Sequence, residues 1–167
     1  GIKISIFVDD GRVSAAGKEE CWEKFQFTLT VLQLCGWNIQ YKKTSTEAVQ
    51  SLLHLGFVTD SVHMRYFLPV EKERVVLEML NETIGKACEG VKVPAIELAK
   101  LLGKLNSMRR SHGGALGVLS RTCQHLLGIR VEEDGSRSSV QLTYEAVREL
   151  RLLTSQLQGL NGQHIST

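Results

Sequence analysis

The hydrophobic pattern of this chain changes period at Pro69, and that switch constrains the fold more than any other feature. Ahead of it, Ile2, Ile4, Ile6 and Val8 alternate with Lys3, Ser5, Phe7 and Asp9, the period of two expected of a strand with one buried face. Asp10-Gly11 supplies a tight hairpin turn, because aspartate and glycine tolerate the positive φ such turns demand, and Arg12 to Ala16 form the return strand. Over 18–35 the apolar residues Cys21, Trp22, Phe25, Leu29, Leu32 and Cys35 recur at helical spacing, with Trp22 and Phe25 read as core and Gly36 placed to close the helix. Asn38 to Lys42 is a short strand candidate and Lys43 to Glu47 a polar loop. Leu52 to Thr59 and Val62 to Leu68 read as a second hairpin around Asp60-Ser61, with Val62, Met64, Tyr66 and Leu68 on one face.

Beyond Pro69, well placed at a helix start, the spacing becomes helical. Helices are predicted over 70–88, 94–108, 114–127 and 144–158, the second carrying Leu98, Leu101, Leu105 and Met108 in one stripe and the last capped by Thr143. Glu132 to Ser139 reads as a polar loop, and Gln163 to Thr167 should fray. The fold class predicted is α+β: antiparallel hairpins with one helix over 1–68, a helical subdomain over 69–158 and a flexible tail over 159–167.

A chain of 167 residues suits one domain or two small subdomains, and 43% hydrophobic with 23% charged residues is globular composition that excludes disorder. No apolar run approaches the ~20 residues of a membrane helix, so a soluble, intracellular protein, cytoplasmic or nuclear, is expected. Net charge +2 and a pI near 8.4 are too mild for a whole-chain nucleic-acid footprint, which leaves the question to local clusters. Cys21, Cys35, Cys88 and Cys123 lack C-x-x-C spacing and read as buried free thiols in a reducing compartment. His54, His63, His112, His125 and His164 lack zinc-ligand spacing, and Gly113-Gly114-Ala115-Leu116-Gly117 lacks the lysine and preceding strand of a phosphate loop.

Chemistry enters at Phe7-Val8-Asp9-Asp10-Gly11. Adjacent carboxylates on a turn repel unless water screens them or a hard cation such as Mg²⁺ lies between them; taken alone, the motif is most often just a solvated turn. Four motifs in order carry a resemblance. Phe7-Val8-Asp9-Asp10 resembles the catalytic hairpin of reverse transcriptases, an aromatic, any residue and two aspartates. Gly36-Trp37-Asn38-Ile39 through Lys42-Lys43 is similar to their next palm motif, which carries a lysine near the incoming nucleotide. Leu55-Gly56-Phe57 resembles the primer-grip turn, and Leu101-Leu102-Gly103-Lys104-Leu105-Asn106 is similar to the thumb helix that tracks the minor groove of the template and primer. The motifs cover about residues 1–127. Leu55 to Val62, Leu68-Pro69, Leu142-Thr143-Tyr144-Glu145 and Glu149-Leu150 resemble the reverse transcriptases of retrotransposons of the tyrosine-recombinase group.

The resemblance implies a partial palm over 1–68 and a helical thumb and connection over 69–158. It implies Asp9 as principal ligand, with Asp10, of two Mg²⁺ ions that serve nucleotidyl transfer. Lys42 or Lys43 is implied at the pyrophosphate, or else forms a solvated strand end. Val8 is implied beside the nucleotide, and Leu55, Gly56 and Phe57 at the primer end, where the glycine reads alternatively as a bulge. Gly103 is implied to let a helix approach the minor groove of an RNA-DNA or DNA duplex with Lys100 and Lys104 near phosphate; the alternative is close helix packing. Arg109, Arg110 and His112 form a compact basic cluster, able to grip phosphates or simply solvated.

The sequence also departs from the pattern. Ala99 and Ser107 stand where a hydrogen-bonding side chain and an aromatic ring are expected, which weakens base-edge and stacking contacts. A third carboxylate on an earlier strand and a fingers region would precede Gly1, and an RNase H domain would follow Leu160-Asn161-Gly162. The implied activity is RNA-directed DNA synthesis by the intact parent, with this piece inactive alone; the alternative is a retroelement-derived module that binds nucleic acid or protein without catalysis.

Overall fold

A computed structural model describes residues 2–7 and 9–165; Val8 lies outside the described residues. The fold is α+β, and the chain divides into two compact units, Gly1–Leu55 and Gly56–Thr167. Among the described residues no helix is long and apolar enough to cross a membrane.

In the first unit, β1 (Lys3–Phe7) pairs antiparallel with β2 (Asp10–Ser14), Phe7 opposite Asp10 and Ile6 opposite Gly11. Asp9 lies in the turn, and Asp10-Gly11, predicted as the turn itself, begins the return strand. Helix α1 (Lys18–Leu34) ends as the sequence predicts: Gly36 takes φ 85, its N–H donates to the Gln33 carbonyl at 2.9 Å, and the Trp37 N–H donates to the Leu32 carbonyl at 3.0 Å. The expected core stripe of this helix is not a core. Thr28 is its only buried residue among those described, Trp22 remains 43% exposed while stacking on Phe25 at 5.8 Å, and Cys35 is exposed. A two-stranded sheet is too narrow to cover a helix of 17 residues. Ile2, Ile4 and Ile6 line an open apolar groove with Phe27, Val31 and Leu32.

The predicted strand over 38–42 is instead irregular, followed by a 3₁₀ turn at Tyr41–Lys43. The Lys43 N–H donates to the Gln40 carbonyl three residues back at 2.9 Å, a bond that an extended strand cannot make, and the Gln33 amide donates to the Tyr41 hydroxyl at 2.7 Å. Strand β3 (Ser51–His54) closes this unit.

In the second unit, β4 (Phe57–Asp60) pairs with β5 (Arg65–Phe67), Thr59 opposite Tyr66. The Asp60 carboxylate organises the intervening turn by accepting from the Val62 and His63 N–H groups at 2.9 and 3.0 Å. Helix α2 (Val70–Cys88) follows Pro69 as predicted. Strand β6 (Val93–Pro94), α3 (Ala95–Ser107), the single turns α4 (Arg109–His112) and α5 (Ala115–Val118), α6 (Arg121–Asp134), β7 (Ser139–Val140) and α7 (Tyr144–Leu160) come next. The predicted helix over 114–127 is broken at Ser120, whose hydroxyl donates to the Leu116 carbonyl, while the Glu149 carboxylate accepts from the Thr122 N–H at 3.0 Å and caps a new helix that runs on to Asp134. Thr143 caps α7 as predicted, accepting from the Ala146 N–H at 3.3 Å.

Among the described residues the buried apolar core lies in this unit. Leu80, Leu98, Leu101, Leu105, Leu150, Leu153 and Leu157 are all 1% exposed or less. Of the four cysteines expected to be buried, only Cys123 is; burial pushes its thiol up to about 12, while Cys88, like Cys35, is exposed. The last described residues depart from the predicted free tail. Strand β8 (Gln163–His164) pairs with β5, Arg65 opposite His164, and the Ile165 N–H donates to the Met64 carbonyl at 2.8 Å.

Candidate nucleic-acid interface

The candidate residues fall in both units, and each unit carries its own set. In the first, Asp9 sits in the turn between β1 and β2 and Asp10 heads β2, both exposed. Lys42 and Lys43 end the 3₁₀ turn rather than a strand, and both side chains are exposed. Among the described residues no group of three or more His, Cys, Asp or Glu is arranged to hold a metal ion. Two adjacent, exposed carboxylates supply oxygen donors suited to Mg²⁺, but they form an incomplete set for the paired ions the resemblance implies.

Leu55 and Gly56, with φ 51 and 82, have the two successive positive values of a type I′ turn, so the glycine is at a turn rather than in a bulge. The Lys72 ammonium at the start of α2 donates to the Gly56 carbonyl at 3.3 Å. Phe57 is half-buried and packs against the core, which commits its ring to the fold. Leu55 is a surprise from sequence, since a leucine at positive φ is strained and nothing in the residue type announces it.

Helix α3 presents two faces. Leu98, Leu101, Leu102 and Leu105 point into the core, while Ala99, Lys100, Gly103, Lys104, Asn106 and Ser107 are exposed. A Cβ placed on Gly103 would meet nothing within 4 Å. This excludes close helix packing as the reason for the glycine among the described residues. Ala99, Gly103 and Ser107 form an exposed strip of small residues along this helix, with Lys100 and Lys104 together along one side of it.

Arg109 and Arg110 lie exposed on the turn after α3, and the Arg110 guanidinium stands over the Tyr66 ring at 5.2 Å. His112 does not belong to the basic cluster predicted for it. It is fully buried, its Nδ1 lies 2.8 Å from the Ser111 hydroxyl, and its Nε2 faces Oε1 of the buried Glu73 at 3.9 Å, beyond hydrogen-bond distance. Burial pushes the imidazole below the usual histidine range, against the pull of Glu73. A depressed folded-state pKa means the unfolded chain takes up the proton first, so this contribution to stability is intact above about pH 6.5 and is lost as pH falls below it. Urea unfolding at neutral pH and near pH 5 checks this: the parent should lose stability over that interval and His112→Gln should lose less. Equal losses would show that another group carries the pH dependence.

No protein-family model matches the chain, and no curated protein matches it. Among solved structures, the chain is similar to the foamy viral protease-reverse transcriptase dRH in complex with double-stranded DNA, with a TM-score of 0.65, 20% sequence identity and 96% of this chain covered. The match takes in 25% of that protein, so the chain spans about a quarter of its length. The fold is thus similar to that of part of a reverse transcriptase.

Proposed function

We propose that this chain is the later part of the polymerase core of an RNA-directed DNA polymerase, with residues 1–68 as the end of the palm and 69–158 as thumb and connection, and that the exposed face of α3 seats a template-primer duplex. The observation that carries the reading is the open face at Gly103, where a glycine in a helix interior is spared any packing duty and stands beside Lys100 and Lys104. Small side chains at Ala99, Gly103 and Ser107 allow the helix backbone to approach a minor groove while the lysines reach phosphate. The fold likeness to a polymerase supports it.

The same reading gives Asp9 and Asp10 as carboxylates that would hold Mg²⁺ together with a third from a segment outside these residues, and it gives Lys42 or Lys43 as the cation at the departing pyrophosphate. The bound ions would activate the primer 3′-oxygen and stabilise the leaving group. The parent would also bring fingers and, further on, an RNase H domain, and would act inside the cell. Its closest affinity would be with retrotransposons of the tyrosine-recombinase group.

Substitution at Gly103 tests the reading because fold and binding should respond oppositely. Gly103→Ala should stabilise the chain by about 0.5–1 kcal/mol, the helix-propensity gain at an open site. Gly103→Leu should fold equally well yet weaken binding of a DNA duplex on the order of tenfold, about 1.4 kcal/mol, by holding the groove away. Unchanged duplex affinity in Gly103→Leu would rule out this face as the seat.

A further inference from the structure

The last described residues join two elements that the sequence keeps far apart. Asn161 Oδ1 accepts from the Leu68 N–H at 2.8 Å, and its Nδ2 donates to the Leu68 carbonyl at 3.1 Å and to Glu73 Oε2 at 3.2 Å. One side-chain amide thus imitates a paired strand at the end of β5, using its oxygen and both of its protons. An aspartate could not donate, and an alanine could do neither.

Gly162 then turns the other way. Its N–H donates to the Ser111 carbonyl in α4 at 2.8 Å, and its own carbonyl accepts from Arg65 at 3.1 Å. It is buried at φ 115 against the Phe67 ring, 2.7 Å from where a Cβ would stand, so only glycine fits. Gly162 therefore bolts β5 to α4, while Asn161, the residue before it, fixes that joint to the end of β5 and to α2; the Arg110 guanidinium stands over Tyr66 beside it. Stacking uses the face of the guanidinium and leaves its in-plane N–H groups free, the arrangement in which arginine meets a phosphate with little ordering left to do.

We propose that Asn161 and Gly162 are positioning residues for nucleic-acid binding, joining α4 to β5 so that Tyr66 holds Arg110 ready for a backbone phosphate. The inference rests on the duplex-binding reading above and adds residues far from the contact itself.

The test is fluorescence-anisotropy titration of a short blunt DNA duplex with the full chain, at several salt concentrations and with helical circular dichroism as the fold control. Arg110→Ala should weaken binding on the order of fivefold and flatten the slope of log affinity against log salt by about 0.9, as expected for one phosphate contact. Asn161→Ala should do the same, and the double variant should be no weaker than Arg110→Ala, where independent effects would multiply to about 25-fold. Tyr66→Leu leaves the backbone joint intact and repeats the cycle should Asn161→Ala lose helix; it too should be silent once Arg110 is gone. Arg110→Ala weakening binding while a folded Asn161→Ala or Tyr66→Leu does not, or either effect multiplying with that of Arg110, overturns the positioning role alone. An Arg110→Ala chain that binds as the parent does overturns the phosphate contact itself, and the positioning role with it.

Discussion

Leu101→Asp is expected to abolish the helical packing of residues 56–167. Leu101 is fully buried on α3, beside Leu98 and Leu105 in the same core cluster. Removing a buried leucine side chain costs about 2–5 kcal/mol, and the carboxylate adds the cost of an unpaired charge in an apolar interior. The sum approaches or exceeds the ~5–15 kcal/mol that a whole domain has in reserve. Urea titration followed by far-ultraviolet circular dichroism should show the variant without a native baseline at room temperature. Lys104→Asp, one residue before Leu105 but on the exposed face, should melt within about 0.5 kcal/mol of the parent, as exposed substitutions usually do. A Leu101→Asp chain that melts with the parent would mean that this face is open and the assignment of the two faces is reversed.

The second large effect is catalytic. The purified 167 residues should incorporate no labelled nucleotide on a primed RNA template, because Asp9 and Asp10 supply only part of the carboxylate set that nucleotidyl transfer needs. On the proposed reading, in a longer polypeptide that carries a third carboxylate and a fingers region, Asp9→Asn should remove nearly all incorporation, since a neutral amide cannot replace the charge that holds divalent cations. Incorporation by the isolated chain would show that the set is complete as it stands. Full activity of Asp9→Asn in the longer form would reduce the aspartate pair to a solvated turn.

Much of the second unit was legible in the residue order because its determinants are local. Pro69 ahead of α2, Thr143 at the start of α7 and the leucine spacing of α3 each act within a turn or two of themselves. What was illegible acts at a distance or depends on what covers a face. Glu149 breaks the predicted helix over 114–127 by capping α6 from another helix, and Asn161 anchors the tail through Leu68, 93 positions away. His112 looks like the third member of a basic run in sequence, yet the turn that carries it points it inward at Glu73 and leaves Arg109 and Arg110 outside.

The first unit failed differently. Its apolar stripe on α1 has the spacing of a buried face, but periodicity reports only that a face is apolar and says nothing of what lies on it. Trp22, 43% exposed, and the exposed Cys35 show the difference. At the candidate interface the lysines, arginines and Gly103 were all named from sequence, whereas the contacts of Tyr66 and Lys72 were not foreseen, because a ring under a guanidinium and an ammonium on a turn carbonyl are products of the fold.

Titration of the full chain with an RNA-DNA primer-template duplex, alongside the two single strands and across several salt concentrations, tests the central claim most directly. Lys100, Lys104, Arg109 and Arg110 together should neutralise about three or four phosphates, so log affinity should fall with log salt at a slope of roughly −3. The duplex should bind more tightly than either strand, and the Arg109→Ala, Arg110→Ala double variant should lose both affinity and slope. Absence of duplex binding even at low salt, or binding that ignores the double variant, would contradict the assignment of this face to nucleic acid.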